Sequence, residues 1–526
     1  QWIPTATPAP QFGVLPLILG TLLVSFVAIL IALPLGLGVA IYLSELAGER
    51  MRKVLKPTIE LLAGIPSVVY GFFGLVVLVP LIQKTFGLPV GETALAGSLI
   101  LAVMALPTII TVAEDAMRGT PRAMREASLA LGATHWQTIY RVVIPYAGSG
   151  ISAAVVLGIG RAIGETMAVL MVTGNAAVMP RSLFEPVRTI PATIAGGTGR
   201  STRRRSALPV ALHAGVHSLH HHDGHQRHGR NDFQTTIQQR TMTGKRTNQR
   251  IAFWIFRILG LIVVGILFWI LGFIIWHGAG VINWKFLTTA PTDGMTGGGI
   301  FPAIVGTFCL IAGSMVVAFP LGVMSAIYTT EYAGNGKIVR FIRIMTNNLG
   351  SIPSIIFGLF GMALFVNALG FGDSIIAGSF TLGLLALPLV IRTTEEALKA
   401  VPDSYRTGSL ALGATKLQTI WRVVLPTAFP NITTGLILSI GRVSGETAPI
   451  LFTAAAYFLP KLPTSIYDQV MALPYHLYVI ATSGTDLEAT RPMAYGTALV
   501  LIVIVLAMNL LASFLRRHFG KKVKTN

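Results

Sequence analysis

Long uninterrupted apolar runs recur along this 526-residue chain, and nothing else in it restricts the fold so strongly. A bilayer core takes ~20 apolar residues in a helix rising 1.5 Å per residue, and several runs reach that length. The expected fold class is therefore all-α and polytopic in a membrane. Charged residues make up only 12% of the chain, and the formal charge of +19 is carried by loops and tails. In a membrane protein that pattern marks cytoplasmic loops and excludes nucleic acid as the implied partner. The single cysteine, Cys309, lies inside an apolar run, so no intrachain disulfide is expected. The sequence opens on Gln1 with no signal peptide before it, which reads as an incomplete or processed N-terminus.

The chain also contains itself twice. Ser128-Leu-Ala-Leu-Gly-Ala-Thr134 returns unchanged as Ser409-Leu-Ala-Leu-Gly-Ala-Thr415, 281 positions later. At the same offset Arg141-Val-Val matches Arg422-Val-Val, Pro145 matches Pro426, and Gly160-Arg161…Gly164-Glu165-Thr166 matches Gly441-Arg442…Gly445-Glu446-Thr447. Gly64-Ile-Pro66-Ser67 is echoed by Ser351-Ile-Pro353-Ser354, Ala105-Leu-Pro107 by Ala386-Leu-Pro388, and Glu45 by Glu331. The constant offset of 281 from Ser128 to Thr166, with nearby offsets for the earlier echoes, defines two related halves.

Four spans are expected in the first half, near 14–43, 59–81, 95–112 and 148–172, with a bend at Gly64-Ile-Pro66. Six are expected in the second, near 252–276, 300–328, 349–369, 374–391, 431–457 and 495–514. The basic loops around 49–56 and 118–141 are cytoplasmic by the positive-inside rule, and Gln83–Glu92 is then external. The second half places all its basic segments on that same cytoplasmic side. Parallel repeats of this kind sit side by side about an axis along the membrane normal. The first half, 1–196, lacks the first and last helices of the repeat, whereas 242–526 holds all six.

Residues 197–241 fit neither half. Arg203-Arg-Arg205 is followed by seven of the eleven histidines, between His213 and His228. The fourth span leaves the chain outside, yet Lys245–Arg250 must be inside, and no run near ~20 apolar residues lies between them. A one-base shift turns each histidine codon into one for Ile, Met or Thr, which would restore an apolar segment. The junction is accordingly read as a shifted reading frame, disordered in the protein, that fused the first half to a neighbour starting at Met242. A natural linker and a metal site at His220-His-His-Asp-Gly-His225 are the competing readings.

Two segments carry chemistry. The cytoplasmic stretch from Arg125 to Pro145 is helix-prone and broken by Gly132, as its copy is by Gly413, so each half offers one docking surface. Arg161 and Glu165 lie four apart inside an apolar span, which places them on one face of a helix, and Arg442 and Glu446 repeat the arrangement. An ionisable group at membrane depth costs ~2.5–3.5 kcal/mol, so it normally faces a cavity or a partner. The four residues are therefore expected around a translocation pathway; a self-neutralising pair that only fixes helix packing is the alternative. Arginine suits a polyatomic oxyanion because its planar fork donates two bonds. A neighbouring carboxylate tolerates an anion that still carries a proton.

Glu126-Ala127…Gly132…Ile144-Pro145 resembles the "EAA" coupling loop of ABC importer permeases. The second copy has Thr407-Gly408 in place of Glu-Ala but keeps Gly413 and Leu425-Pro426. The Gly-Arg-x-x-Gly-Glu-Thr signature and the Ile-Pro-Ser segment resemble the two permease subunits of the phosphate-specific ABC importer. The first half is similar to one subunit and 242–526 to the whole of the other. That resemblance implies two parallel-oriented repeats of the ABC type I importer permease fold, with about 4 + 6 transmembrane helices in a bacterial plasma (inner) membrane. It implies as partners a cytoplasmic ABC ATPase dimer and an external phosphate-binding protein, with phosphate as cargo. It gives Glu126, Ala127, Gly132, Pro145, Gly413 and Pro426 as the ATPase-coupling loops.

No cofactor and no metal ligand set is expected, nor catalysis by the chain itself. Gly336-Lys337 and Gly244-Lys245 lack the rest of a phosphate-binding loop, and no His-Glu-x-x-His or nucleophile elbow occurs. Other readings are a permease for another oxyanion such as sulfate or molybdate, a secondary transporter or channel needing no ATPase, and a non-transporting membrane scaffold.

Overall fold

The computed structural model describes residues 2–3, 11–200, 242–333, 336–483 and 486–522. Helix dominates them. Among the described residues, eight helices are long and apolar enough to cross a membrane: Leu15–Leu46, Ser67–Phe86, Ala94–Arg118, Ile251–Gly278, Phe301–Tyr332, Ile375–Lys399, Lys416–Ser444 and Leu487–Leu511. A ninth is a pair, His135–Tyr146 and Gly148–Gly164, bent by 72°, and the shorter apolar helix Ser354–Ala368 takes the remaining expected position.

The bend expected at Gly64-Ile-Pro66 is a full break. The helix Glu49–Gly64 ends there, and the span begins afresh at Ser67 behind Pro66, whose ψ of 142° is extended. Pro353 repeats this before Ser354 with a ψ of 137°. Proline lacks the N–H that would continue a helix, and its ring disfavours a helical residue before it. The basic stretch 49–56 is consequently helical and separate from the span it was expected to lead into.

The halves repeat each other in detail. The Thr21 hydroxyl accepts the Ile190 N–H at 2.9 Å, and the Thr307 hydroxyl accepts that of Leu473 at 2.8 Å. This ties the equivalent spans Leu15–Leu46 and Phe301–Tyr332 to the start of a late helix, Ile190–Arg200 or Leu473–Thr482. In the second half the helix Leu487–Lys522 follows. The corresponding stretch after Arg200 falls in 201–241. The histidine cluster, the disorder and the shifted frame expected there lie outside the described residues.

The second half's first helix, Met242–Gly278, packs on the first half. Gly38 faces the Leu259 and Phe256 side chains, and Gly260 faces the Tyr42 ring. Phe73 meets Trp269 and Phe273 edge-on at 5.4 and 5.8 Å between centroids, and Trp136 meets Phe256 at 5.7 Å. Aromatic pairs of this kind contribute ~0.5–1.5 kcal/mol each beyond the area they bury. One apolar core therefore contains residues of both halves, from Val24 and Tyr70 to Val263 and Leu501.

Candidate functional site: paired docking helices and a shared arginine cluster

The duplicated stretch from Arg122 to Pro145 and from Asp403 to Pro426 folds into the same shape twice. Arg122–Ala130 and Asp403–Ala411 are short helices in which no residue is buried. Each ends at a glycine in the left-handed region, Gly132 at φ 81° and Gly413 at φ 83°, where a side chain would be strained. The next helix starts with a capping box, Thr134 with Gln137 and Thr415 with Gln418, satisfying otherwise unpaired N–H groups. Ser128 and Thr138 brace the turn through their hydroxyls at 3.0 Å, as Ser409 and Thr419 do at 2.9 Å. Glu126, Ala127, Pro145 and Pro426 are all exposed. At the tip stand Leu131 and Leu412, 89% and 91% exposed. The sequence reading missed these two leucines. Nothing in their local pattern separates them from core leucines, so the sequence carried no signal for their exposure.

The other ends of the two copies meet within the membrane part. Here the expectation of a single helix face needs correction. The helix Gly148–Gly164 stops before Glu165, whose backbone is extended at ψ 131°. The Glu165 carboxylate turns forward and accepts the N–H groups of Met167 and Ala168 at 3.1 and 3.4 Å. Those N–H groups open the short helix Met167–Val172 and have no partner inside it. The expected span 148–172 is thus broken at Glu165. Arg161 donates instead to the Thr108 hydroxyl at 3.3 Å. In the second half the helix ends at Ser444, and Arg442 Nε lies 3.9 Å from Glu446 Oε1. The expected span 431–457 is correspondingly interrupted beyond Gly445.

All four charges nevertheless share one neighbourhood. Glu446 interacts electrostatically with Arg442, Glu165 and Arg161, and the Ser354 side chain faces it. Ser67 faces Glu165 in the same way. These serines follow Pro66 and Pro353, and the prolines complete the arrangement across the halves. A Cβ placed on Gly164 would lie 3.2 Å from the Pro353 ring, and one on Gly445 would lie 3.1 Å from the Pro66 ring. Each half's Gly-Glu-Thr segment therefore rests on the other half's Ile-Pro-Ser segment. Asn509 adds a further contact, because Cβ atoms on Gly64 and Gly441 would each come 2.6 Å from its side-chain amide.

No group of three or more His, Cys, Asp or Glu suited to a metal occurs among the described residues. Two cavities stand out among the described residues. One of about 380 Å³ is lined by Thr330, Glu331, Arg343, Lys399, Asp403 and Arg406. The other, about 610 Å³, lies along Glu49–Glu60. Neither adjoins the arginine cluster.

The sequence profile described as "Binding-protein-dependent transport system inner membrane component" matches residues 32–190 and 318–525. The Bacillus subtilis (strain 168) protein named probable ABC transporter permease protein YqgH is 49% identical over 202 residues, 38% of this chain and 65% of that protein. YqgI of the same strain, with the corresponding name, is 35% identical over 293 residues, 54% of this chain and 99% of that protein. The phosphate transport system permease protein PstC of Mesorhizobium japonicum is 44% identical over 204 residues, 35% of this chain and 62% of that protein. The chain thus spans less than two thirds of YqgH and PstC and nearly all of YqgI. With one matched segment in each half, and both segments built on the same membrane helices, this multi-pass chain belongs to the family of binding-protein-dependent transport system inner membrane components.

Proposed function

We propose that the chain is the transmembrane part of an ATP-driven importer of inorganic phosphate, with both permease halves on one polypeptide. The observation that carries this reading is the cluster of Arg161, Glu165, Arg442 and Glu446 at the crossed contact between halves. Two guanidinium groups offer forked donors to a tetrahedral oxyanion, and two carboxylates beside them accept the proton that hydrogen phosphate retains. The similarity to a permease named for phosphate transport supports the same cargo. The exposed docking helices, each with a bare leucine at its tip, suit an ATPase subunit on the cytoplasmic side. An external phosphate-binding protein would deliver the anion from the opposite side. ATP-driven movement of the docking helices would then switch access to the arginine cluster between the two sides.

The deciding experiment is uptake of labelled phosphate into vesicles carrying the chain, its ATPase and its binding protein. Uptake that needs ATP and resists competition by sulfate and molybdate supports the reading. Uptake that survives ATP depletion would favour a secondary transporter. Displacement by sulfate would favour another oxyanion. We also propose that 197–241 is the product of a shifted frame. The nucleotide sequence of codons 190–245 tests this, and an alternative frame with no apolar run would refute it.

A further inference from the structure

One arginine in each docking helix reaches back into the membrane part. Arg125 donates to the carbonyls of Thr120 and Met117 at 2.6 and 2.8 Å, and to Glu45 Oε1 at 2.9 Å. Arg406 donates to the carbonyls of Val401 and Leu398 at 2.7 and 2.8 Å, and to Glu331 Oε1 at 2.8 Å. The matching partners are equivalent positions of the two halves. The two carbonyls lie at the C-terminal end of a spanning helix, Ala94–Arg118 or Ile375–Lys399, and just beyond it. The carboxylate lies in a π-helical turn, Tyr42–Leu46 or Tyr328–Tyr332, that ends the equivalent long spans Leu15–Leu46 and Phe301–Tyr332. Glu45 is 5% exposed and Glu331 8%. Each guanidinium thus joins three elements: the docking helix that carries it and the ends of two membrane helices, which also touch through Ser44 and Met117 in the first half and Thr329 and Glu395 in the second.

We propose that Arg125 and Arg406 are positioning residues that transmit movement of the docking helices to two membrane helices at once, a role that rests on the ATP-driven reading above. The docking helices bury no residue, so packing alone grips them weakly. A planar fork with five donors in fixed geometry holds two carbonyls and a carboxylate together. A lysine ammonium keeps the charge but cannot span all three. The two ties are unequal. Arg406 also presents Nε to both Glu331 oxygens at 3.3 Å and Nη1 to Asp403 at 3.1 Å, so the second-half tie is the stiffer one.

The test uses the full chain with its ATPase and its binding protein in proteoliposomes, comparing wild type with Arg125→Lys, Arg406→Lys, Glu331→Gln and the exchanged pair Arg406→Glu/Glu331→Arg. ATP hydrolysed, phosphate carried and ATPase retained on purification are measured together. Both lysine variants should retain the ATPase and hydrolyse ATP, while phosphate carried per ATP falls about tenfold through loss of charge-assisted bonds. Arg406→Lys should be the more severe, and the exchanged pair should recover part of the loss. A coupling ratio unchanged in both lysine variants overturns the proposal, as does a loss explained wholly by lost ATPase. Glu331→Gln keeps the site's shape, so its ratio decides the matter if a lysine variant does not fold. A wild type that hydrolyses ATP but moves no phosphate refutes the cargo alone. The tie is then read from nucleotide-induced amide protection at 15–46 and 301–332. The lysine variants abolish that protection if the arginines transmit movement and leave it intact if they do not.

Discussion

Gly164 of the first half rests on Pro353 of the second, with only 3.2 Å from a hypothetical Cβ to the proline ring. Gly445 and Pro66 reproduce the contact in the opposite sense at 3.1 Å. Both glycines directly precede the glutamates of the arginine cluster, so the fit between halves and the geometry of the charges are set by the same contact.

Added bulk at these glycines should therefore disturb the cluster without touching a charged group. Gly164→Val and Gly445→Val are each expected to lower stability by about 1–3 kcal/mol, the usual cost of overpacking. Phosphate uptake should fall more than thermal stability does, and the alanine variants should lie between wild type and valine. Uptake at wild-type level in both valine variants would show that the crossed contact does not govern the pathway.

The arginines should matter for cargo rather than for folding. Arg161 has the Thr108 hydroxyl as its bond partner, where the second half has Leu389 at the equivalent position. Arg161→Gln and Arg442→Gln are each expected to weaken phosphate transport about 10- to 100-fold, because a hydrogen bond to a charged group contributes ~1.5–3 kcal/mol. Concentration-dependent uptake checks this. Unchanged transport would remove the residue concerned from the path.

Leu131 and Leu412 should behave in the opposite way. Their exposure makes the chain's own stability insensitive to them, within ~0.5 kcal/mol. Leu131→Asp or Leu412→Asp should nevertheless reduce co-purification of the ATPase, and the double variant should abolish it. Full retention by the double variant would place the docking surface elsewhere.

The loop before Leu473 contains an acid-sensitive turn. Asp468 accepts the N–H groups of Thr464 and Ser465 at 2.7 and 2.8 Å and the Thr464 hydroxyl at 3.0 Å. Those bonds hold its carboxyl below the usual aspartate range. A carboxyl depressed in the folded state stabilises the turn above its unfolded pKa, and that contribution disappears as pH falls through the lower, folded value. Amide exchange over 464–468 should stay slow into acid and accelerate only below the ordinary aspartate range. Asp468→Asn should be fast throughout and lose the pH dependence.

Much of this was legible in the residues. The offset between Ser128 and Ser409 is visible as a repeat, and the length of each apolar run indicates a span. Gly132 and Gly413 mark the turns that the structure contains. The departure of Glu165 from its helix was not legible. A spacing of four suggests a shared face, and only the chain's turn toward Met167 makes the carboxylate more useful as a cap. The crossed Gly–Pro contacts were hidden for a different reason: a parallel repeat fixes orientation but not which surfaces of the two copies touch. The Arg125–Glu45 tie spans 80 positions, and no local pattern in the sequence announces it.

The helix Met242–Gly278 has a further consequence. It is numbered with the second half yet sits against Gly38, Tyr42, Phe73 and Trp136 of the first. The halves are therefore interlocked rather than merely tethered. Severing the backbone anywhere in 201–241 should leave two polypeptides that still migrate as a single particle.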